Sequence, residues 1–287
     1  MSMFEDSHEQ ELLASVIDLA QQWSGCNFLR YNPSTMRRRV ARRMIDVRCQ
    51  SLAQYLDYLT AHPGEYPHLV ACLTIKVSCF FRDPAMFALL EAKVLPQLLR
   101  RAQAAGRRHW RVWSAACAGG EEAYSLAILL AGQETSLAVS ILATDLDPDI
   151  LASAARGVYP AAALELVAEH RRQQFFVPVG GENSGAWQVV PQLRAMVDFV
   201  SFDLTSTARL SPPSGIFAEY DLILCRNMLI YCQPDLKREI IARLHACLSP
   251  EGCLVLGRAE SMPEPLGSRF VPFDQRFKIF IKKETVA

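Results

Sequence analysis

Apolar side chains recur every three or four positions in several stretches between residues 11 and 75, which is the spacing of amphipathic helices. The pattern covers residues 11–23, 35–47, 52–59 and 65–75. Asn32-Pro33-Ser34 breaks the chain between the first two helices, and Ser51 is a suitable N-cap for the third. We therefore predict an all-helical N-terminal domain over residues 1–76.

From residue 77 onward the pattern changes, and short apolar runs typical of buried strands alternate with helical stretches. The runs are residues 110–115, 139–143, 197–202, 220–225 and 253–256. Strands that alternate with helices predict a doubly wound α/β domain with a mostly parallel sheet, over residues 77–287. The β-rich stretch 271–281 predicts an antiparallel pair at the end of this sheet.

Residues 159–197 interrupt the alternation of strands and helices. Two β-rich runs, 175–179 and 187–190, flank a turn rich in Gly and Asn, which predicts a hairpin. We interpret residues 172–197 as an inserted, small antiparallel β-subdomain. Its role is either purely structural or the binding of a peptide along an exposed strand edge.

The composition narrows the class of protein. The chain has 287 residues, of which 51% are apolar, so a sizeable core is expected. The 30 basic and 30 acidic residues cancel, which argues against a globally basic nucleic-acid-binding protein. The nine cysteines form no C-x-x-C pair, so a zinc site has little support and no metal is expected.

We expect the chain to be cytoplasmic and not inserted in a membrane. Scattered cysteines in mostly apolar contexts suggest reduced, buried thiols. Residues 1–10 are acidic and polar, unlike a signal peptide, and no run of about 18 apolar residues occurs.

The stretch 111–124 is the most informative part of the chain. A predicted strand leads into five small residues, 116–120, and Glu121 and Glu122 then begin a helix. Small side chains let a ligand approach the backbone, and the helix start offers free N–H groups. The loop lacks the G-x-G-x-x-G pattern, and its two carboxylates would repel a pyrophosphate. They suit a ligand with an ammonium group and no phosphate, such as S-adenosylmethionine, whereas the alternative is a plain strand–helix turn.

Other polar residues follow the predicted strands of the same sheet. Asp145 ends the second strand, Asp203 follows the third, and Asn227 follows the fourth. Ligands of doubly wound sheets bind at the carboxyl ends of the strands. An acidic residue at the position of Asp145 is the expected partner for ribose hydroxyls.

The predicted helix 35–47 is strongly basic around one apolar stripe, and Asp46 is its only acidic residue. Like charges four positions apart reduce helix stability, so the cluster has a cost. The helix is either a solvated basic face or a docking surface for an acidic partner. The basic residues considered for docking are Arg37, Arg38, Arg42 and Arg43.

Phe80-Phe81-Arg82 precedes a helix that begins at Pro84. The arginine is either a surface charge or, because it follows two core aromatics, a side chain directed into a cleft.

Five segments together resemble the CheR-type chemotaxis receptor methyltransferases, and the resemblance extends over nearly the whole chain. They are residues 78–83 (Ser-Cys-Phe-Phe-Arg-Asp), 111–116 (Arg-Val-Trp-Ser-Ala-Ala), 120–125 (Gly-Glu-Glu-Ala-Tyr-Ser), 143–147 (Ala-Thr-Asp-Leu-Asp) and 225–231 (Cys-Arg-Asn-Met-Leu-Ile-Tyr). The resemblance implies a Rossmann-like class I methyltransferase fold with an N-terminal all-helical domain and an inserted antiparallel β-subdomain. Asp203 stands where the family usually has Asn.

The resemblance also implies the cofactor and its site. S-adenosylmethionine would be bound and S-adenosylhomocysteine released. The residues implied to line the site are Ser78, Arg82, Ala116, Glu122, Asp145, Asp203, Leu204, Arg226 and Asn227. Of these, Glu122 would pair with the amino group of the cofactor, and Asp145 would bind its ribose.

The implied reaction is methyl transfer to glutamate side chains in the cytoplasmic domain of chemoreceptors, which gives methyl esters and adapts receptor signalling. Glutamate is ionised at neutral pH, so the in-line displacement needs alignment and desolvation but no general base. Arg82 either orients the substrate carboxylate or braces the cofactor, and Tyr231 is the second candidate for the methyl-transfer cleft. The basic helix would dock the acidic receptor helices, and we expect a monomer.

Two alternatives belong to other classes. One is a non-catalytic binding module that senses the cofactor, which the presence of Arg82, Glu122, Asp145 and Asn227 disfavours. The other is a nucleic-acid methyltransferase, but the chain lacks an Asn-Pro-Pro-Tyr loop and has no aromatics interleaved with the arginines.

Overall fold

A computed structural model describes residues 2–74, 78–181, 185–206, 211–212 and 219–283. The chain divides into two compact units. The first contains residues 1–75 and 231–237, and the second contains residues 76–230 and 238–287. The predicted helical domain did not include residues 231–237.

The first unit is helical, as the spacing of apolar residues predicts. Its helices are α1 (Ser2–Ser24), α2 (Pro33–Asp46), α3 (Leu52–Ala61) and α4 (Tyr66–Leu73), with short 3-10 turns at Phe28–Arg30 and Pro63–Glu65. The hydroxyl of Ser51 accepts a hydrogen bond from the Gln54 N–H at 3.2 Å, so the predicted N-cap of α3 is confirmed.

A buried ion pair stabilises the first unit. The Arg43 guanidinium donates to both carboxylate oxygens of Glu65 at 2.6 and 2.7 Å, and the Tyr55 hydroxyl donates to the same carboxylate at 3.0 Å. Glu65 is 5% exposed, so loss of Arg43 would leave a buried charge without its main partner. Residues 231–237 pair with this unit through the Asn32 N–H, which donates to the Tyr231 carbonyl at 2.7 Å.

The second unit is built on a seven-stranded sheet. Its strands are β1 (His109–Ala115), β2 (Ala138–Asp145), β6 (Val197–Ser201), β7 (Tyr220–Cys225), β8 (Leu248–Leu256), β9 (Phe270–Asp274) and β10 (Ile279–Lys282). The strand order is β6-β2-β1-β7-β8-β10-β9. The first five strands pair in parallel, and β10 pairs antiparallel to both β8 and β9, as the sequence predicts.

The helices of the second unit are α5 (Pro84–Leu89), α6 (Leu95–Ala104), α7 (Glu121–Ala131), α8 (Pro148–Arg156), α9 (Glu169–Phe175), α10 (Pro191–Arg194) and α11 (Pro234–Cys247), whose first turn belongs to the first unit. One π-helical turn, Leu90–Val94, joins α5 to α6. Pro96 follows this turn and has no N–H for an α-helical hydrogen bond, which accounts for the irregularity.

Helix α7 is buried on all sides of its middle turns, from Ala123 to Leu130. It packs in the core with the apolar face of β1, including Trp110 and Val112. A helix buried on every side has its position fixed by packing, so its first residues are held firmly at the end of β1.

A second, three-stranded sheet forms the small β-subdomain. Its strands are β3 (Val158–Pro160), β4 (Phe176–Val179) and β5 (Ala186–Val189), in the order β3-β5-β4 and antiparallel throughout. The predicted hairpin is the β4–β5 pair, although residues 182–184 of its turn lie outside the described residues. Strand β3 begins before residue 172, so the small sheet uses more of the chain than the predicted insertion.

A buried carboxylate lies at the amino end of the large sheet. Asp221, in β7, is 4% exposed and accepts hydrogen bonds from the Arg107 guanidinium, the Arg111 N–H and the Ser249 hydroxyl. This cluster fastens β1, β7 and β8 at the end of the sheet away from the predicted ligand site.

Within the described ranges, no helix combines the length and the hydropathy that a bilayer span requires. No group of three or more His, Cys, Asp or Glu side chains suited to a metal ion occurs in the same part of the chain.

Candidate functional site

The residues predicted for the cofactor site gather at the carboxyl ends of β1, β2 and β7. Strand β1 is central, with β2 on one side and β7 on the other, so the chain order reverses there. This reversal is the place where doubly wound sheets bind ligands.

The loop between β1 and α7 has an unusual backbone. Ala116 and Ala118 have φ angles of 60° and 48°, and Gly120 has a φ of 87°. Such angles are costly for alanine and persist only where the surroundings enforce them. A Cβ on Gly120 would lie 2.9 Å from Ala154 and from Phe199, so this position requires glycine for space as well as for conformation.

Hydrogen bonds from neighbouring strands enforce this conformation. The Cys117 N–H donates to the Thr144 carbonyl at 2.9 Å, and the Gly119 carbonyl accepts from the Tyr159 hydroxyl at 2.7 Å. The Ala118 N–H donates to the Asp145 carboxylate at 2.8 Å. These three bonds hold the loop as a rigid cradle of small residues.

Asp145 is the acidic residue at the end of β2. One carboxylate oxygen accepts from Ala118, and the other accepts from the N–H groups of Leu146 and Asp147 at 2.8 and 3.3 Å. Burial raises the pKa of Asp145, and these backbone donors oppose the rise because they favour the ionised form. A carboxylate has about four acceptor positions, so it can still accept from a hydroxyl group.

Glu122 lies in the first turn of α7 and is paired through both oxygens. It accepts from the Ser114 hydroxyl at 2.8 Å and from the Arg226 guanidinium at 3.2 Å. Arg226 also donates to the Arg82 carbonyl at 2.8 Å, and its guanidinium lies 5.5 Å from the Phe87 ring centroid. The site thus holds a carboxylate and a guanidinium side by side, both largely buried.

Glu121 lies beside the loop, where its carboxylate is within 3.0 Å of the Cβ position of Gly119. Ser78 lies close enough to this carboxylate to favour its ionised form. One oxygen of Glu121 is buried without a hydrogen-bond partner among the described residues. Burial raises the pKa of Glu121, and its own backbone N–H and the Ser78 side chain oppose the rise.

The segment that carries Arg82 is anchored by its two aromatics. The Phe80 ring makes edge-on contacts with Tyr159 and Phe176, at centroid distances of 4.9 and 5.2 Å. The Phe81 N–H donates to the Ser125 hydroxyl at 2.9 Å, and Phe81 itself has a φ of 52°. The backbone at Arg82 is consequently fixed on both sides, by the buried aromatics and by Arg226.

Asp203 and Leu204 follow β6, next to Asp145. One oxygen of Asp203 accepts from the N–H and the hydroxyl of Thr205 at 2.8 and 2.6 Å, which forms a local turn. The Leu204 carbonyl accepts from the buried Arg243 guanidinium. Asn227, after β7, has a φ of 61°.

Tyr231 and the arginines considered for docking belong to the first unit. The Arg39 guanidinium lies 5.9 Å from the Tyr231 ring centroid. Arg38 and Arg42 are exposed, whereas Arg37 pairs with Glu9 at 2.6 Å. Arg43 is committed to Glu65, so we leave it out of any docking surface.

Sequence reasoning missed three residues that position the predicted ones. Ser114 fixes Glu122, Tyr159 fixes the loop at Gly119, and Glu260 fixes the chain after β7. Ser114 lies within a recognised motif, but Tyr159 and Glu260 lie far along the chain and carry no local signal.

The residues present fit S-adenosylmethionine. Its amino-acid end carries one ammonium and one carboxylate, and the Glu122–Arg226 pair offers one charge opposite to each. The loop 116–120 has side chains no larger than that of cysteine. The Asp145 carboxylate lies beside this loop, where it can accept hydrogen bonds from the hydroxyl groups of a diol. No phosphate-binding cluster is needed, which agrees with two glutamates at the start of α7.

Family comparisons agree with this assignment. Residues 76–276 match the family model described as CheR methyltransferase, SAM binding domain, and residues 11–74 match the CheR methyltransferase, all-alpha domain. The chain is 36% identical over 225 residues to Chemotaxis protein methyltransferase 2 of Pseudomonas aeruginosa, covering 78% of this chain and 76% of that protein. It is 31% identical over 241 residues to the Chemotaxis protein methyltransferase of Listeria innocua, covering 84% and 86% respectively.

Another relative is much longer than this chain. The Uncharacterized 104.1 kDa protein in hypE 3'region of Rhodobacter capsulatus is 34% identical over 268 residues, which are 91% of this chain but 27% of that protein. The predicted fold, the dependence on S-adenosylmethionine and the methyltransferase class are confirmed by these matches, and the chain belongs to the CheR methyltransferase family.

Proposed function

We propose that this protein transfers a methyl group from S-adenosylmethionine to glutamate side chains in the cytoplasmic part of chemoreceptors. The observation that carries the proposal is the buried Glu122–Arg226 pair beside the small-residue loop, in a domain of the CheR family. The chemotaxis names of the relatives support the receptor as substrate.

The site residues have distinct roles in this proposal. Glu122 binds the ammonium of the cofactor, and Arg226 binds its carboxylate, because each then meets the opposite charge. Asp145 accepts from the ribose hydroxyls. Asp203 accepts from the adenine amino group, which an ionised carboxylate does as well as the amide that the family usually has there.

The bound cofactor supplies an electrophilic methyl group on a positively charged sulfur. The protein residues then have to bring an ionised glutamate into line and exclude water from it. No residue has to remove a proton, because a glutamate carboxylate is ionised at neutral pH. Arg82 orients that carboxylate or braces the cofactor, and Tyr231 is the second candidate for contact with the substrate.

The exposed face of α2 is the proposed docking surface for the receptor. Arg38 and Arg42 are one helical turn apart, and Ile45, one turn further, is 69% exposed. Arg42 has one long contact, 3.7 Å, with Asp46 and keeps 72% of its side chain exposed. Two available cations beside an exposed apolar side chain suit an acidic amphipathic helix.

The first prediction concerns Asp145. Asp145→Asn keeps the size of the side chain but replaces one acceptor by an NH₂ group, so the affinity for S-adenosylhomocysteine should fall about tenfold or more. A hydrogen bond to a charged group contributes about 1.5–3 kcal/mol. Titration calorimetry measures the affinity, and Asp198→Asn, at an exposed position on β6, is the control.

The same variant tests the protonation of Asp145. As the pH falls through the raised pKa, the wild-type carboxylate loses its charge, so its affinity should begin to fall above the ordinary pKa of 3.8. The affinity of Asp145→Asn should not show this fall, because an amide does not titrate in this pH range. Identical pH profiles for both proteins would exclude Asp145 from the ribose contact.

The second prediction concerns the chemical product. Methyl groups transferred from labelled cofactor to a receptor cytoplasmic domain should be released as methanol by mild base, because esters hydrolyse under these conditions and methylamines do not. Measurement of volatile label decides the point. Label that stays on the receptor in base, or that appears on nucleic acid instead, contradicts glutamate methylation.

The third prediction separates the two roles of Arg82. If Arg82 orients the substrate, Arg82→Ala should lower the rate at saturating cofactor far more than it lowers cofactor affinity. If it braces the cofactor, affinity should fall and the rate should recover at high cofactor concentration. Arg82→Lys retains the charge but loses the planar fork, so little rescue indicates orientation.

Steady-state kinetics with a receptor fragment and calorimetry with S-adenosylhomocysteine provide the two measurements for Arg82. Arg108→Ala, an exposed arginine just before β1, is the control. Full activity in Arg82→Ala would exclude both roles.

The fourth prediction concerns docking. Arg38→Glu with Arg42→Glu should raise the KM for the receptor fragment and leave affinity for S-adenosylhomocysteine unchanged. Raised salt should weaken wild-type methylation in the same way, since exposed charges are screened. The control is Lys93→Glu with Arg100→Glu, which reverses the charge of two exposed cations of the second unit. If neither the double substitution nor raised salt alters the methylation rate, α2 is a solvated basic face and does not dock the receptor.

A further inference from the structure

Glu260 is a buried carboxylate that lies just beyond β8 and is only 4% exposed. One of its oxygens accepts from the Leu229 N–H at 2.7 Å, and the other accepts from the Gly257 N–H. Burial raises the pKa of Glu260, and the backbone N–H groups of Gly257, Leu229, Asn227 and Ile230 oppose the rise because they favour the ionised carboxylate. Leu229 belongs to the segment that follows β7 and Gly257 to the segment that follows β8, so this one side chain ties the two segments together.

The turn that Glu260 holds is not one that the chain adopts readily. Asn227 has a φ of 61°, in the left-handed region, and the chain then enters the short 3-10 turn Leu229–Tyr231. A 3-10 turn leaves its first N–H groups without partners inside the turn, and Glu260 accepts from that of Leu229. The carboxylate therefore compensates for both the strain and the unpaired donors.

The segment after β8, which contains Gly257, lies very close to the segment after β7, which contains Asn227. A Cβ on Gly257 would lie 2.8 Å from the Asn227 nitrogen and 2.8 Å from the nearer Glu260 oxygen. Any larger residue would push the carboxylate away from the turn. Glycine at this position is thus part of the same arrangement.

The turn begins directly after Arg226, the residue that pairs with Glu122 and with the Arg82 carbonyl. Arg226 is 7% exposed, and its guanidinium also lies over Phe87, so its position has little tolerance. A change in the backbone at Asn227 would move the Cα of Arg226 relative to Glu122. Glu260 itself is nowhere among the groups proposed to touch the cofactor.

We propose that Glu260 is a positioning residue for the cofactor site: by holding the backbone from Asn227 to Ile230, it sets Arg226 and Asn227 for the amino-acid end of S-adenosylmethionine. This rests on the proposed role of the Glu122–Arg226 pair. This positioning role requires a carboxylate, because only a group with two acceptor oxygens can accept from both the Leu229 N–H and the Gly257 N–H. Glutamine would turn an NH₂ group toward backbone N–H groups.

A buried carboxylate of equal exposure gives the matched control. Asp221 is also 4% exposed and also accepts from a backbone N–H, that of Arg111, but at the opposite end of β7. Asp221→Asn and Glu260→Gln each replace a buried acceptor by an amide. A purely structural role predicts that the two variants behave alike toward the cofactor product.

The experiment compares wild type, Glu260→Gln, Glu260→Asp and Asp221→Asn in the full chain. The measurements are the melting temperature, the Kd for S-adenosylhomocysteine and the KM and kcat with S-adenosylmethionine. We expect both amide variants to melt earlier than wild type. Only Glu260→Gln should lower the affinity for S-adenosylhomocysteine, by about tenfold or more, and raise the KM for the cofactor. The Kd of Asp221→Asn should stay within about twofold of the wild-type value.

Glu260→Asp should show partial rescue, because it keeps both oxygens but reaches less far. If Glu260→Gln does not fold, Gly257→Ala tests the same contact, and we expect the same loss of affinity. Wild-type affinity in a folded Glu260→Gln or Gly257→Ala protein would overturn the proposal, and so would equal losses in Glu260→Gln and Asp221→Asn.

A separate variant distinguishes this outcome from a failure of the cofactor assignment. Glu122→Gln removes the charge that the assignment gives to the ammonium contact. If it binds S-adenosylhomocysteine normally, the assignment itself is wrong. If it binds weakly while Glu260→Gln binds normally, only the positioning role is wrong.

Discussion

The loop 116–120 has a backbone conformation that is unfavourable for its alanine residues. The geometry of the candidate site depends on the hydrogen bonds that hold the loop in this conformation. Two alanines with positive φ are maintained by the Asp145 carboxylate, the Thr144 carbonyl and the Tyr159 hydroxyl. These groups come from β2 and β3, so the shape of the loop is set by the assembled sheets. The cost of the strain is met by the fold, and the ligand does not have to impose the conformation.

Three carboxylates serve the same purpose at the ends of four neighbouring strands. Asp145 accepts backbone N–H groups after β1 and β2, Asp203 after β6, and Glu260 after β7. Burial raises the pKa of Asp145 and of Glu260, while the backbone donors favour their ionised forms. The negative charge that suits a sulfonium ligand is thus also the charge that shapes the loops around it.

Much of this architecture is readable from the sequence because it rests on local patterns. The helical spacing before residue 75, the apolar runs of β1, β2 and β7, and the β4–β5 hairpin all follow from periodicity within one segment. Motif residues such as Glu122 and Asp145 do lie at the predicted strand ends. Contacts between distant segments were not readable: Glu65 claims Arg43 from the basic helix, and Tyr159 and Glu260 reach loops that are separated from them by about 30 to 40 residues. Such pairings depend on tertiary packing, which no single stretch of sequence encodes.

The assignment of residues 231–237 to the helical unit has a consequence for how this family can recombine. The helical unit is encoded by two separated pieces of the chain, since Asn32 and Tyr31 pair with Tyr231 and Cys232. A single crossover near residue 75 between two relatives would join one parent's helices to the other parent's second piece. Viable chimeras therefore need compatible partners at both places, and substitutions at Arg39 and Tyr231, whose side chains meet, should be inherited together.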